Sequence, residues 1–140
     1  MICLDTNVLS ELVRRKPAEQ VVSWLDSLDA ATVATTAITA AELRYGVARL
    51  PDGRRKRQLG DAIDGLLEDD LDGRVEPFDA TAATHYAALV SERDGAGSPI
   101  GMADAQIAAI CRTLGAALAT RNVGDFEGTG IVLIDPWQPR

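Results

Sequence analysis

Five short apolar runs, most of them separated by longer stretches with helical spacing, constrain this chain more than any other feature. The runs are Ile2 to Leu4, Thr32 to Thr35, Val75 to Phe78, Ala117 to Ala119 and Ile131 to Ile134. Each is bounded by polar or turn residues, the pattern of a short strand buried on both faces. Between them, helical periodicity predicts Val8 to Val13, Ala18 to Leu28, Ala40 to Leu50, Arg55 to Leu71, Thr81 to Arg93 and Ile100 to Leu114. In the second of these Val21, Val22, Leu25 and Leu28 share one side, and in the fourth Leu59, Ile63, Leu66 and Leu67 do so. Doubly buried strands joined through helices run parallel, because parallel neighbours need a crossover connection. The expected architecture is therefore α/β: a three-layer sandwich with a mainly parallel central sheet and helices on both faces. In such a sheet ligands gather beyond the carboxyl ends of the strands. Pro51-Asp52-Gly53 and Gly95 to Pro99 read as loops too short to divide the chain, so residues 1–140 are expected to form a single domain.

A chain of 140 residues with 46% hydrophobic content can bury enough surface to fold without a disulfide or metal staple. Cys3 and Cys111 have no companions at zinc-ligand spacing and read as buried, reduced thiols. Neither a basic segment nor a long apolar run precedes Asp5, which leaves no membrane helix or leader there and makes a cytoplasmic location the expectation. The net charge of -7 runs against the basic footprint usual for nucleic-acid binding. It is unevenly spread, however. Residues 1–57 hold 9 basic and 7 acidic side chains, whereas residues 58–140 hold 5 and 14. The basic residues cluster at Arg14-Arg15-Lys16 and at Arg49 with Arg54, Arg55, Lys56 and Arg57. Such clusters are either solvated faces or surfaces for RNA phosphates or acidic partner residues.

Four acids are placed for chemistry. Asp5 ends the first strand immediately before a helix, a position that also suits a helix cap. Glu42 completes Thr39-Ala40-Ala41-Glu42, which reads as a capping box, yet a carboxylate held there could also reach a metal. Asp104 shares a helix face with Ile100, Ile107, Ala108 and Cys111 and has no basic residue at its helical neighbour positions 100, 101, 107 and 108. A carboxylate among apolar residues needs a cation or strong donors. Asp125 follows the fourth strand in Thr120 to Phe126, a loop that also contains Asn122 and belongs to the same edge of the sheet as Asp5.

Carboxylates converging within about 5 Å repel by roughly 3 kcal/mol per pair at an effective dielectric near 20, so such a group calls for a cation. Oxygen ligands without histidine or cysteine select a hard ion, magnesium with manganese as a substitute. That is the chemistry of metal-assisted phosphodiester hydrolysis.

Leu4-Asp5-Thr6-Asn7-Val8, Ile38 to Leu43, Ala103 to Ala109 and Ala119 to Phe126, with the closing Ile134-Asp135-Pro136-Trp137, together resemble the VapC-type toxins of the PIN-domain family. The resemblance spans essentially the whole chain. It implies the PIN-like sandwich, magnesium held by the motif acids, endonucleolytic cleavage of RNA, a cognate antitoxin protein and a homodimer. It also implies that Asp5 and Asp104 are the principal metal ligands, Glu42 a third ligand or water-orienting acid, and Thr6 a polar support. For the fourth position both Asn122 and Asp125 fit, since relatives place an acid at either point of this loop. Arg54, Arg55, Lys56 and Arg57 are the candidates for RNA or partner binding.

Two other functions compete with this one. A haloacid-dehalogenase-like phosphatase also begins from an aspartate at the end of its first strand, but its second aspartate is Asn7 here and the only lysines are Lys16 and Lys56. A non-catalytic PIN scaffold that regulates its antitoxin would not require the acids this chain retains. His85 has no acid or serine placed to form a triad with it, and Trp24 and Trp137 read as core or interface residues rather than a base-stacking platform.

Overall fold

The computed structural model describes residues 1–139. Chain order is β1 (Ile2–Leu4), α1 (Thr6–Leu12), α2 (Glu19–Asp26), β2 (Val33–Thr36), α3 (Ala37–Ala48), α4 (Arg54–Asp64), β3 (Val75–Glu76), α5 (Ala80–Gly95), α6 (Met102–Leu114), β4 (Ala117–Ala119) and β5 (Leu133–Ile134). The five strands form one sheet in the order β3-β2-β1-β4-β5, and every pairing is parallel. The α/β sandwich expected from the apolar runs is the observed fold.

Alternation along the short strands distributes their side chains between two cores. Leu4, Val33 and Ala119 pack with Val8, Leu9, Val21, Trp24, Leu43 and Ile63 from α1 to α4. Cys3, Ala34 and Leu118 pack on the other face with Leu89 of α5, Ile107, Ala108 and Cys111 of α6, and Phe126. Both cysteines are buried free thiols, and the hydrogen bond with Cys3, followed by burial, pushes the Cys111 thiol far up. Among the described residues, no helix is long and apolar enough to cross a membrane.

Element boundaries depart from the periodicity where backbone chemistry intervenes. β3 stops at Glu76 because Pro77 has no N–H to continue a ladder. The long helix expected over 55–71 becomes α4 and a π-helical turn over Gly65–Asp70, closed by the bond from Leu71 N–H to Leu66 O at 3.0 Å. The wider turn lets Leu66, Leu67 and Leu71 all enter the core. α6 begins at Met102 rather than Ile100, with Gly101 extended as its cap. It ends on Gly115 in the left-handed region (φ 64°), where Ala116 N–H bonds Cys111 O and Gly115 N–H bonds Arg112 O. That stop sends the chain straight into β4 beside β1.

β1 is where the strand order reverses: the chain passes from it to β2 on one side, and β4 pairs on the other. The crevice at such a reversal, at the carboxyl ends of the strands, is the natural ligand position in an open α/β sheet.

Candidate active site

Asp5 stands at this reversal point. Its backbone N–H bonds Ala119 O at 2.9 Å, tying the end of β1 to the end of β4. Its carboxylate caps α1 by accepting from Thr6 N–H (2.8 Å), and it also accepts from Thr120 Oγ1 (2.8 Å) and Asn7 Nδ2 (3.2 Å). One side chain thus caps α1 and lines the crevice as well. Asn7 Nδ2 reaches Thr120 Oγ1 as well (3.2 Å), Thr120 Oγ1 accepts from Asn122 N–H (3.0 Å), and Arg121 N–H donates to Asn7 Oδ1 (3.0 Å). The loop after β4 is thus locked to the start of α1. Arg121 further lies over the Trp137 ring, 4.8 Å from its centroid.

Glu42 reaches the same place differently from the capping-box expectation. The cap of α3 is Thr36, whose hydroxyl accepts from Thr39 N–H at 3.1 Å, and the helix starts at Ala37. Glu42 therefore lies beyond the first turn, too far along to bond the helix start. Its carboxylate instead accepts from Thr6 Oγ1 at 3.1 Å, and that hydroxyl is 3.3 Å from Thr39 Oγ1. Thr6, the first residue of α1, thereby links α1 to α3.

Asp104 sits in the first turn of α6, where the helix N-terminus favours a negative charge. It is half-buried, and among the described residues its carboxylate makes no hydrogen bond or ion pair. Burial raises its pKa above the ordinary value of 3.8, and the charges of Asp5, Asp125 and Glu42 raise it further. Asp5 is raised too, chiefly by burial. The bonds from Thr120, Thr6 and Asn7 oppose that rise, while Asp125 adds to it.

These side chains line an open cleft of about 510 Å³ that contains Asp5, Thr6, Glu42, Asp104 and Asn122. Asp125 lies on the 3-10 turn Val123–Phe126, near enough for its charge to act on Asp5 and Asp104 but off the cleft wall. Arg54, Arg55, Lys56 and Arg57 form the start of α4 and do not line the cleft.

The cleft also holds residues that linear spacing did not single out for it: Asn7, Ser10, Glu11 and Arg14. Their spacing is i, i+3, i+4, i+7, a polar stripe along α1 and the turn after it, opposite the core residues Val8 and Leu9. That stripe was the available signal. Glu11 is buried and accepts from Ala18 N–H (3.0 Å) and Arg14 Nη1 (3.2 Å), which makes Arg14 a tethered cation in the acidic cleft. Thr120, buried between Asp5 and the loop, is the other unforeseen part.

The donor set suits a hard divalent ion: carboxylate, hydroxyl and amide oxygens, with neither histidine nor cysteine in the cleft. Among the described residues no three acidic, histidine or cysteine side chains form a ready-made cage. Magnesium does not require one, since it keeps several waters and takes only one or two carboxylates directly. The charge on Asp104, unpaired among the described residues, fits a cleft that would take up a cation.

An open parallel sheet with acids gathered at its reversal point places the chain in the class of α/β proteins whose ligand crevice lies at the carboxyl ends of the strands. Comparison with known proteins gives the family. The PIN domain family matches residues 2–130. The VapC ribonuclease Y4jK of Sinorhizobium fredii is 42% identical, with 99% of each chain covered. The crystal structure of FitAcB from Neisseria gonorrhoeae superposes with a TM-score of 0.92 at 41% identity, covering 99% of this chain and 100% of that one. A member of the VapBC family of toxin-antitoxin systems from Mycobacterium tuberculosis, VapBC-5, gives a TM-score of 0.68 at 25% identity, covering 95% and 97%. The chain belongs to the PIN-domain family, among its VapC-type toxins.

Proposed function

We propose that this chain is a magnesium-dependent endoribonuclease that acts as the toxin of a toxin–antitoxin pair. The observation carrying this reading is Asp104, a half-buried carboxylate with no hydrogen-bond or ion-pair partner among the described residues, facing the charges of Asp5 and Glu42 in one cleft. Family membership supplies the reaction class, since the relatives include a VapC ribonuclease and a member of a toxin-antitoxin family.

Asp5 and Asp104 would hold the ion, with Glu42 as a third ligand or the acid that orients water. A bound divalent ion supplies an acidified water and neutralises charge on the phosphate undergoing substitution. The chain's own groups do the rest. Thr6 holds Glu42 in place, Thr120 and Asn7 fix the rotamer of Asp5, and Asn122 offers an amide on the cleft wall. Either Asn122 or Asp125 completes the fourth position, Asn122 by contact and Asp125 by charge. Arg14 offers a cation to the entering phosphate, which lowers the repulsion between a polyanion and an acidic cleft. A cognate antitoxin that covers this cleft, and a homodimeric toxin, belong to the same reading. The phosphatase alternative lacks support, because neither lysine lines the cleft and Asn7 is already committed to Asp5 and Thr120.

The test is cleavage of a panel of structured RNAs by the purified chain, with magnesium, with manganese and with chelator. Metal-dependent internal cleavage that disappears in Asp104→Asn is the expected result. Cleavage in chelator, or by Asp104→Asn at the wild-type rate, refutes the reading.

A further inference from the structure

The turn after α1 places its two consecutive arginines in different depressions. Arg14 points into the acidic cleft, where Glu11 holds it. Arg15 instead lines a separate groove of about 600 Å³ with Val13 and with Arg55, Gln58, Leu59 and Ala62 of α4. Two guanidinium groups from two elements therefore share one groove with an amide donor and an apolar floor. Among the described residues no acid lines it, in a chain of net charge -7. Among the described residues neither Arg15 nor Arg55 forms an ion pair, whereas Lys56 is turned back onto Asp52 and Ala48 O.

α4 adds an independent observation. Its first turn contains Arg54, Arg55, Lys56 and Arg57 and no acid, and Gly53 caps it without a side-chain bond. Cations at a helix N-terminus oppose the helix dipole, so the arrangement costs local stability unless an anion arrives to offset it. A local rule broken at this density, beside a groove lined by two arginines, marks a site built for an anionic ligand.

Resting on the ribonuclease reading above, we infer that this groove binds the RNA backbone next to the scissile bond, with Arg15 and Arg55 holding phosphate from its two walls. Arg14 and Arg15 are consecutive residues, so the cleft and the groove adjoin at the turn after α1, and this assigns Arg14 a phosphate in the cleft and Arg15 one farther along the strand. RNA then leaves the acidic cleft across the end of α1 toward the start of α4. Planar guanidinium groups suit phosphate because they donate paired hydrogen bonds to it. Of the four basic residues that open α4, this assigns the groove position to Arg55, and it adds Arg15 from the other cluster.

The experiment measures binding of fluorescently labelled unfractionated tRNA to the full chain in chelator across a salt series, and cleavage of the same RNA in magnesium. Arg15→Gln combined with Arg55→Gln is compared with wild type and with a charge-matched control, Arg44→Gln combined with Arg112→Gln. Every phosphate that is no longer neutralised should reduce the slope of log affinity against log salt by about 0.7. The slope for the groove variant should therefore be shallower by between about 0.7 and 1.4, and that for the control should change markedly less. Its KM should rise with kcat nearly unchanged, because these arginines position RNA and do not touch the reacting atoms. Both groove side chains are exposed, and unfolding temperatures matching wild type will show that the variant folds. If wild type cleaves but the groove variant keeps its slope and KM, this inference falls and the ribonuclease reading stands. If the groove variant binds RNA normally but no longer binds a cognate antitoxin, the groove belongs to a protein partner and the inference again falls. If wild type neither binds nor cleaves RNA, the ribonuclease reading fails and takes this one with it.

Discussion

Replacing Asp104 by asparagine separates a metal-binding acid from a structural one, because the two roles predict opposite changes in stability. Asp104 accepts no hydrogen bond among the described residues, and its charge is opposed by burial and by Asp5, Asp125 and Glu42. Two unit charges about 5 Å apart repel by roughly 3 kcal/mol at an effective dielectric near 20. Screening at a half-exposed group reduces this to about 1 kcal/mol. Asp104→Asn should thus stabilise the metal-free chain by about 1 kcal/mol, a rise of about 2–4 °C in Tm for a domain near this size. Asp5→Asn should behave differently, although it removes a charge from the same cleft. An amide there keeps the bond from Thr6 N–H, but its NH2 group would face the donors on Asn7 and Thr120. Burying an unsatisfied donor costs about 1–3 kcal/mol and cancels or exceeds the relief of repulsion. Thermal unfolding of both variants in chelator measures the difference, and repeating it in magnesium measures how much metal stabilisation each has forfeited. Cleavage by either variant should fall by about 10²-fold or more, since even outer partners of a metal site are worth 10–100-fold. If Asp104→Asn were destabilised by more than about 1 kcal/mol in chelator, Asp104 would be a structural partner and the cleft would need another account.

Other perturbations probe the remaining parts. Thr6→Val should leave Glu42 untethered and lower kcat by about 10-fold with little change in Tm; an unchanged kcat would remove Thr6 from the site. For the fourth position, Asp125→Asn should lower activity more than Asn122→Ala and be partly rescued by raised magnesium, since mass action offsets weakened metal binding. An Asn122→Ala enzyme inactive at every magnesium concentration would assign the role to the cleft-lining amide instead. The pKa values of Asp5 and Asp104 are raised on folding, so in mildly acidic solution the folded chain binds more protons than the unfolded one. Their contribution to stability in chelator therefore grows as pH falls from neutral toward the ordinary carboxylate range, and shrinks as pH rises. Urea unfolding across pH should show this as a difference between wild type and Asp104→Asn, and a difference independent of pH would contradict the burial and repulsion assigned to Asp104. Leu9→Ala, in a fully buried position of the core under the cleft, should cost about 2–5 kcal/mol. A smaller loss in urea unfolding would mean that the core relaxes around the deletion.

Much of the molecule was legible in linear order because its determinants are local. Apolar runs ending at Leu4, Thr35 and Ala119 carry the strands, and helical spacing carries the layers that cover them. Burial on both faces then leaves a parallel sheet as the consistent arrangement. The placement of Asp5, Glu42 and Asn122 at one edge follows from that topology, since each lies in the segment that leaves the carboxyl end of β1, β2 or β4, whereas Asp104 reaches the same edge from the first turn of α6, the helix that leads into β4. Three-dimensional proximity decided the rest. Only the approach of β4 to β1 brings Thr120 onto Asp5 across 115 positions, and only the packing of α1 on α3 turns Glu42 from a supposed cap into the partner of Thr6. The distinction between Asn122 on the cleft wall and Asp125 just off it depends on a 3-10 turn that periodicity does not reveal. The pairing of Arg15 with Arg55 likewise depends on where α4 lies against the end of α1. Sequence alone determined which elements form and which edge carries the acids, because side-chain period and strand polarity are properties of the backbone. Tertiary structure decided which partners each acid and each arginine meets, because hydrogen bonds and charges act over a few ångströms of space, whatever their separation along the chain.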